Sequence, residues 1–290
     1  MRYSFIHEHR SQWPIRTLCR VLRSHPSGYY RWRGVNKRPP QRRLRRLALI
    51  QSIRTIHQRS HGTYGAPRVH RQLRSQGEHC SRRTVETLMR QQQIRSKRIR
   101  RFRLRTTDPN HPHPIAPNLL RGRFRRPRMK PNQVWMADIT FIPTAEGWLY
   151  LGVVMDLYSR RIIGWEAADH LRADLTVAAL QRALRQRRPA KGLMHHSDRG
   201  VQYACLQYQA LLERHQIRCS MSRAGDCYDN AVIESFFKTF KSELVNHQQY
   251  QTKKQAIVSI HAWIELFYNH QRRHSALGYK SPAEYEGDLC

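Results

Sequence analysis

The sequence predicts an all-helical region followed by an α/β domain. Apolar residues recur at helical spacing in the first part of the chain, whereas β-rich segments alternating with helices begin at residue 134. The charge is divided at the same place: residues 1–133 contain 34 Lys and Arg against 4 Asp and Glu, and residues 134–290 contain 19 against 16. A length of 290 residues suits about two domains. The excess of +30 in the first part indicates that the partner is a nucleic acid or an anionic surface.

Composition excludes several classes of protein. With 39% hydrophobic residues, including 6 Trp, 13 Tyr and 8 Phe, the chain can form a packed core, which argues against wholesale disorder. It lacks an apolar run of the roughly 18 residues that a membrane span needs, and its start lacks a signal-peptide pattern. We therefore expect a cytoplasmic protein without a membrane partner. The six cysteines are scattered without a CxxC pair and are expected to be reduced thiols.

Residues 1–50 are interpreted as a basic region resembling a helix-turn-helix. Apolar Ile15, Leu18 and Leu22 repeat at helical spacing, and the stretch 24–28 (Ser-His-Pro-Ser-Gly) interrupts the pattern before a short second helix. A further helix is predicted over residues 42–57.

Residues 51–105 carry a clearer helix-turn-helix pattern. A helix is predicted over residues 66–76, ending at Gly77, and Ser81 is a suitable N-cap for the next helix. Arginines alternate with the apolar positions, and we expect these side chains to face outward and bind DNA: Arg68, Arg71, Arg82 and Arg83. The alternative is a helical hairpin whose charges are merely solvated. Residues 106–133 are rich in Pro and Arg and are interpreted as a basic linker, which together with the preceding charge run can follow a phosphate backbone.

The second part has the order βββαβαβα, which implies a mixed five-stranded sheet with flanking helices. Strands are predicted over residues 134–142, 149–156, 161–166, 192–196 and 217–220, and helices over residues 173–187, 204–215 and 230–244. This region, residues 134–245, is expected to be the catalytic core. Residues 246–290 then form a helix over 252–269 and a turn-rich tail.

Three acids stand out by their positions in this pattern. Asp138 lies in the first strand, Asp198 follows the fourth strand, and Glu234 lies one turn into the last helix of the core. Converging carboxylates repel one another unless a divalent cation is bound, and oxygen ligands suit Mg²⁺. Lys238 and Lys241 share the helix face of Glu234 and are expected, with Arg199, to bind the DNA backbone. The alternative is that the three acids are ordinary surface or capping residues.

The segments around these acids resemble the catalytic blocks of the DDE transposase and retroviral integrase superfamily. These segments are Trp135–Thr140, His196–Tyr203 and Asp229–Phe237. Thirty-five residues separate Asp198 from Glu234, the spacing of the D,D(35)E subgroup, and Lys241 matches its basic position. The segments Tyr64–Val69 and Tyr268–His274 resemble the second-frame product of bacterial insertion sequences that have two overlapping frames.

The resemblance implies a ribonuclease-H-like catalytic domain that cleaves the ends of a DNA element and transfers the freed 3′-hydroxyl to another phosphodiester. It implies Mg²⁺, with Mn²⁺ as a substitute, bound by Asp138, Asp198 and Glu234. The implied partners are the element's terminal inverted repeats, target DNA, further copies of the chain and the first-frame protein, either separate or fused by frameshifting. It also implies a bacterial cytoplasmic protein associated with the nucleoid.

The chain departs from retroviral-type integrases in one respect. His57 and His61 have a His-x3-His spacing but no CxxC follows, so we expect no zinc. Two other functions remain as alternatives: a DNA-binding protein whose catalytic domain has decayed, and a plain nuclease that releases its product without joining strands. A cleavage assay on a labelled terminus tests the first alternative, and a strand-transfer assay tests the second.

Overall fold

The computed structural model describes residues 1–37, 40–97, 113–120, 129–223 and 230–288, apart from the side chains of residues 35–37. The end of the predicted charge run and most of the predicted linker lie outside these residues. Within them, none of the helices combines the length and the apolar character that crossing a membrane requires.

The N-terminal part is helical, as predicted. Its elements are α1 (Arg2–Glu8), α2 (Ile15–Val21), α3 (Pro26–Lys37), α4 (Gln41–Arg59), α5 (Ala66–Ser75) and α6 (Arg82–Gln91). Helices α1 to α3 enclose a small apolar cluster of their own, whereas the apolar faces of α4 to α6 pack together in a second cluster that continues into the rest of the molecule. The predicted boundary between residues 50 and 51 lies inside α4.

One five-stranded sheet organises the second part. Its strands are β1 (Val134–Thr144), β2 (Gly147–Asp156), β3 (Ile162–Ala168), β4 (Met194–Ser197) and β5 (Arg218–Met221), in the spatial order β3-β2-β1-β4-β5. β1, β2 and β3 form an antiparallel meander, while β4 pairs parallel with β1 and with β5. This mixed sheet, with helices on both faces, confirms the predicted fold class.

Helices cover the two faces of the sheet because the buried residues of its strands alternate between two apolar clusters. On one face, Trp135 and Ala137 pack against α7 (Ala173–Arg187), α8 (Val201–Ala204) and α9 (Leu206–Arg214). On the other face, Val134 and Met136 share a cluster with α10 (Ala231–Glu243) and α11 (Lys253–His261). The chain then continues through a π-helical segment, Ala262–Tyr268, and ends in α12 (Pro282–Gly287).

Residues 268–274, which we call the junction segment, connect three parts of the molecule. The side-chain amide of Asn269 exchanges two hydrogen bonds with the backbone of Ile162 in β3. Arg272 is buried and donates two hydrogen bonds of 2.7 Å to the carboxylate of Glu243 in α10. The helical region is held by Tyr64, whose hydroxyl accepts a hydrogen bond from the backbone N–H of Arg273 at 2.7 Å.

Candidate active site

Strand register brings Asp138 and Asp198 together. β1 and β4 are parallel neighbours in which Trp135 is opposite His195 and Met136 is opposite His196. Continuing that register by two residues places Asp198, the first residue after β4, beside Asp138 in β1. The carboxylate in the interior of β1 therefore lies beside the carboxylate that follows the end of β4.

Backbone amides fix both carboxylates. The N–H of Ile139 donates to Oδ1 of Asp138 at 2.8 Å, and the N–H of Gly200 donates to Oδ1 of Asp198 at 2.9 Å. A Cβ atom at position 200 would lie only 3.1 Å from that Oδ1 atom, so a glycine suits this close approach.

Helix α10 brings Glu234 to the same end of the sheet. Its apolar stripe, which includes Ile233, Phe236 and Phe240, is buried against the sheet face that Met136 occupies. Asp138 lies two residues after Met136 in β1, and residues two apart in a strand point to the same face of the sheet. The side chain of Asp138 therefore belongs to the face that α10 covers. Glu234 lies in the first turn of α10 with an exposed side chain, and partial desolvation raises the pKa of its carboxyl.

The electrostatics of Asp138 show that the three acids are neighbours. Burial raises the pKa of Asp138 well above its usual range, and the charges of Asp198 and Glu234 raise it further. The Ile139 amide and the positive charge of Lys241 act in the opposite direction. Nevertheless, no three acidic, His or Cys side chains among the described residues are close enough to form a complete set of metal ligands. Asp138 and Asp198 thus form an adjacent pair at the sheet, whereas Glu234 belongs to helix α10.

The predicted basic residues near this site have different surroundings. Lys238 is exposed on α10. Lys241 is half-buried, and desolvation lowers the pKa of its amine although the charge of Asp138 favours the protonated form. Arg199 lies beside Asp198, and its Nε donates to the backbone carbonyl of Ser222 at 2.7 Å, which holds the loop after β4 against the end of β5.

The predicted DNA-binding arginines of the helical region also differ. Arg82 and Arg83 are exposed on α6, and Arg82 pairs with Glu86 one turn later. Arg71 is exposed on α5, with its guanidinium 5.2 Å from the centre of the Tyr279 ring.

The expectation that Arg68 faces outward was wrong. Its guanidinium lies over the Tyr64 ring and 3.7 Å from the Glu243 carboxylate, because α5 docks against the C-terminal part of the chain. Burial correspondingly lowers the pKa of Arg68.

Sequence reasoning missed Tyr203 as a neighbour of the site. Its ring is buried, its pKa is raised well above the usual range by burial and then by the charge of Asp138, and its hydroxyl has no hydrogen-bond partner among the described residues. The only signal was its place in α8, five residues after Asp198.

Comparisons with known proteins agree with this architecture. A family profile described as "Integrase core domain" matches residues 128–227, a second with the same description matches residues 215–282, and one described as "HTH-like domain" matches residues 44–102. The chain is similar to the solved structure of the HTLV-2 integrase catalytic core domain in complex with magnesium, with a TM-score of 0.42 and 15% identity over 55% of this chain and 98% of that one.

Two curated relatives extend over nearly the whole chain. The Shigella sonnei "Insertion element IS600 uncharacterized 31 kDa protein" is 42% identical over 92% of this chain and 97% of its own length. Transposase InsF for insertion sequence IS3A of Escherichia coli (strain K12) is 40% identical over 99% of this chain and 98% of its own length. The chain therefore belongs to the DDE transposases of the IS3 family of insertion sequences.

Proposed function

We propose that Asp138, Asp198 and Glu234 are the catalytic carboxylates with which this transposase cleaves the ends of its DNA element and transfers them to a new site. The observation that carries the proposal is the placement of Asp138 and Asp198 side by side on parallel strands, under the helix that bears Glu234. The raised pKa of Asp138 supports the proposal. It means that the protein alone disfavours the ionised carboxylate, and a bound cation would stabilise that ionised form.

The carboxylates suit Mg²⁺, and we propose Mg²⁺ as the cofactor, with Mn²⁺ as a substitute and no zinc. All three side chains offer oxygen atoms, which hard divalent cations prefer. Bound divalent ions would supply the activation of the attacking water or hydroxyl and the stabilisation of the leaving oxygen. The chain's own part is to hold Asp138 and Asp198 in fixed orientations through the amides of Ile139 and Gly200. Glu234 is held separately from this pair, in the first turn of α10.

Basic residues beside the carboxylates are proposed to hold the DNA backbone. Lys241 and Lys238 lie on the Glu234 face of α10, and Arg199 follows Asp198 directly. In the helical region, exposed Arg82 and Arg83 on the second helix of the helix-turn-helix are proposed to contact the terminal inverted repeat. Target DNA occupies the same carboxylate site when the strand is transferred.

We propose that the chain acts as a homo-oligomer on DNA in the bacterial cytoplasm, associated with the nucleoid. The excess of positive charge in residues 1–133 supports tight association with DNA. The first-frame product of the element, as a separate protein or a frameshifted fusion, is proposed as a further partner.

The test is an end-cleavage and strand-transfer assay with labelled terminal DNA and Mg²⁺. Asp138→Asn, Asp198→Asn and Glu234→Gln are each expected to abolish both reactions while terminal-DNA affinity stays within about twofold, because each change removes a ligand charge and keeps the side-chain shape. Glu213→Gln, an exposed acid on α9, is the matched control and should retain activity. A variant with near-normal Mg²⁺-dependent cleavage would remove that residue from the site, and an inactive wild-type chain that still binds DNA would favour a decayed enzyme.

A further inference from the structure

Helices α1 to α3 form a structural unit of their own at the N-terminus. Their apolar cluster consists of Ile6, Leu18, Cys19 and Tyr29 and is separate from the two clusters that form the rest of the core. The family profiles match residues 44–102, 128–227 and 215–282, so they assign no role to this unit.

Helices α2 and α3 are joined by a closed turn. Arg23 adopts a left-handed backbone conformation with φ of 46°, and the N–H of Ser24 donates to the carbonyl of Cys19, five residues earlier, at 2.9 Å. The ring of His25 then accepts the N–H of Ser27 at 3.3 Å and caps the start of α3.

The turn between α5 and α6, in the segment that matches the HTH-like profile, is closed in the same way. Gly77 has a φ of 85°, and the N–H of Glu78 donates to the carbonyl of Leu73, again five residues earlier, at 3.0 Å. Ser81 accepts the N–H of Thr84 and caps α6. Both turns are therefore closed by the same C-cap arrangement, which also ends α4, α6 and α9.

The second helix of the N-terminal unit has one solvent-facing stripe. Ser27, Tyr30, Arg31 and Gly34 are exposed and recur at i, i+3, i+4 and i+7, so they share a face of α3. Tyr29 points the other way, into the apolar cluster. An arginine and a tyrosine at the centre of an exposed recognition-helix face are side chains that can reach base edges in a major groove.

The positive charge of the N-terminal unit indicates DNA as its ligand. Residues 1–34 contain seven Arg and a single acid, Glu8. Arg16, Arg20 and Arg23 are exposed along α2 and the turn after it, where the first helix of a helix-turn-helix crosses the DNA backbone.

We propose that residues 1–37 form a second DNA-reading module, with α3 in the major groove and the α2 arginines on the flanking phosphates. The chain would then recognise terminal DNA at two separate stretches, one read by α3 and the other by α6. This inference does not depend on the assignment of the catalytic carboxylates, since it concerns DNA binding alone.

The test is hydroxyl-radical footprinting of the full-length chain on terminal DNA, with affinity measured in parallel. Tyr30→Ala combined with Arg31→Ala should remove one block of protected base pairs, leave a second block in place, and weaken specific binding by about fivefold or more. Arg83→Ala on α6 should weaken the other block. Arg214→Ala, which removes an equal charge from an exposed position on α9, should leave both blocks unchanged.

Two further measurements separate a loss of DNA contacts from a loss of folding and from a loss of charge. Thermal unfolding of the Tyr30 and Arg31 variant should match the wild type, because both side chains are exposed. Arg31→Lys keeps the charge but loses the planar guanidinium, so protection should stay reduced, and full protection would contradict base reading by Arg31. An unchanged footprint in the double variant would overturn the proposal and would favour protein binding as the role of residues 1–37. A uniform weakening of both blocks would also overturn the proposal.

Discussion

Glu286 shows how a single carboxylate can hold the C-terminal helix in place. It accepts hydrogen bonds from Ser159 at 2.7 Å, Arg161 at 2.9 Å and Arg187 at 2.6 Å. Burial alone would raise its pKa, but these donors outweigh burial, and the pKa is lowered from its ordinary value of 4.5. Glu286→Gln should lower the free energy of unfolding at pH 7 by about 1–3 kcal/mol, because charged donors lose their partner.

The pH dependence of this effect has a definite sign. A carboxyl with a lowered folded-state pKa stabilises the fold above its unfolded value of 4.5 and loses that contribution as the pH falls through the folded-state pKa. Urea unfolding of Glu286→Gln and wild type should therefore differ at pH 7 and converge as the pH falls through the lowered folded-state pKa of Glu286. Glu213→Gln should show no difference at either pH, and a constant gap for Glu286→Gln would contradict the assignment.

Lys241 is expected to contact DNA near the three carboxylates. Glu243 is close to Lys241 in sequence, but its carboxylate is paired with Arg272. The charge that acts on the amine of Lys241 is that of Asp138, in the carboxylate site. Lys241→Ala should reduce terminal-DNA affinity or strand transfer several-fold, while stability changes by no more than about 0.5 kcal/mol. Lys238→Ala, three residues closer to Glu234 and exposed, is the comparison. Unchanged affinity and joining, or a large loss of stability, would show that Lys241 is not a DNA contact.

At the scale of elements, the contact between β3 and α7 depends on the absence of a side chain. A Cβ atom at Gly164 would lie 2.3 Å from the carbonyl oxygen of Ala179 and 2.7 Å from the amide of Ala183, both backbone atoms that cannot move independently. Gly164→Ala should therefore destabilise the fold by about 2 kcal/mol or more, as overpacking does. At Gly152, also in the sheet, the nearest atom is a Leu175 side-chain carbon at 3.4 Å, so Gly152→Ala should cost clearly less. Equal melting temperatures for the two variants would contradict this packing.

Local sequence patterns predicted most of the helices and strands. The bounds of α7 agree with the sequence prediction. Helix α12 was missed because the tail looked turn-rich, although Ser281 and Glu284 form a capping box that its sequence could have revealed.

The sequence nominated candidate site residues but did not predict their surroundings. Asp138 was selected within the first strand, Asp198 after the fourth strand and Glu234 on the last helix of the core. The buried pair of Arg272 and Glu243 joins residues 29 apart, and periodicity carries no information about such a contact. The inward position of Arg68 was missed for the same reason, since a helical pattern gives the face of a side chain but not the element that covers it.

At the scale of the whole molecule, the distribution of charge predicts how binding responds to salt. The net charge of +30 in residues 1–133 implies many phosphate contacts, each of which steepens the slope of log affinity against log salt by about 0.9. Terminal-DNA affinity of the full chain should fall by about a thousandfold or more between 50 and 200 mM salt. Arg82→Ala and Arg83→Ala should each flatten the slope by about one unit, and Arg214→Ala by less. A shallow slope for the wild type would mean that most of this charge does not face DNA.

The amide of Asn269 has a consequence for how copies of the chain meet. β3 is an edge of the sheet, and an uncovered edge offers a row of N–H and C=O groups to which another chain can add a strand. By bonding to both backbone polar groups of Ile162, Asn269 acts as a short mimic of a sixth strand. Glu265 adds a side-chain bond to the indole N–H of Trp165 farther along β3. The C-terminal part thus occupies a stretch of the β3 edge to which a strand of another chain could otherwise add.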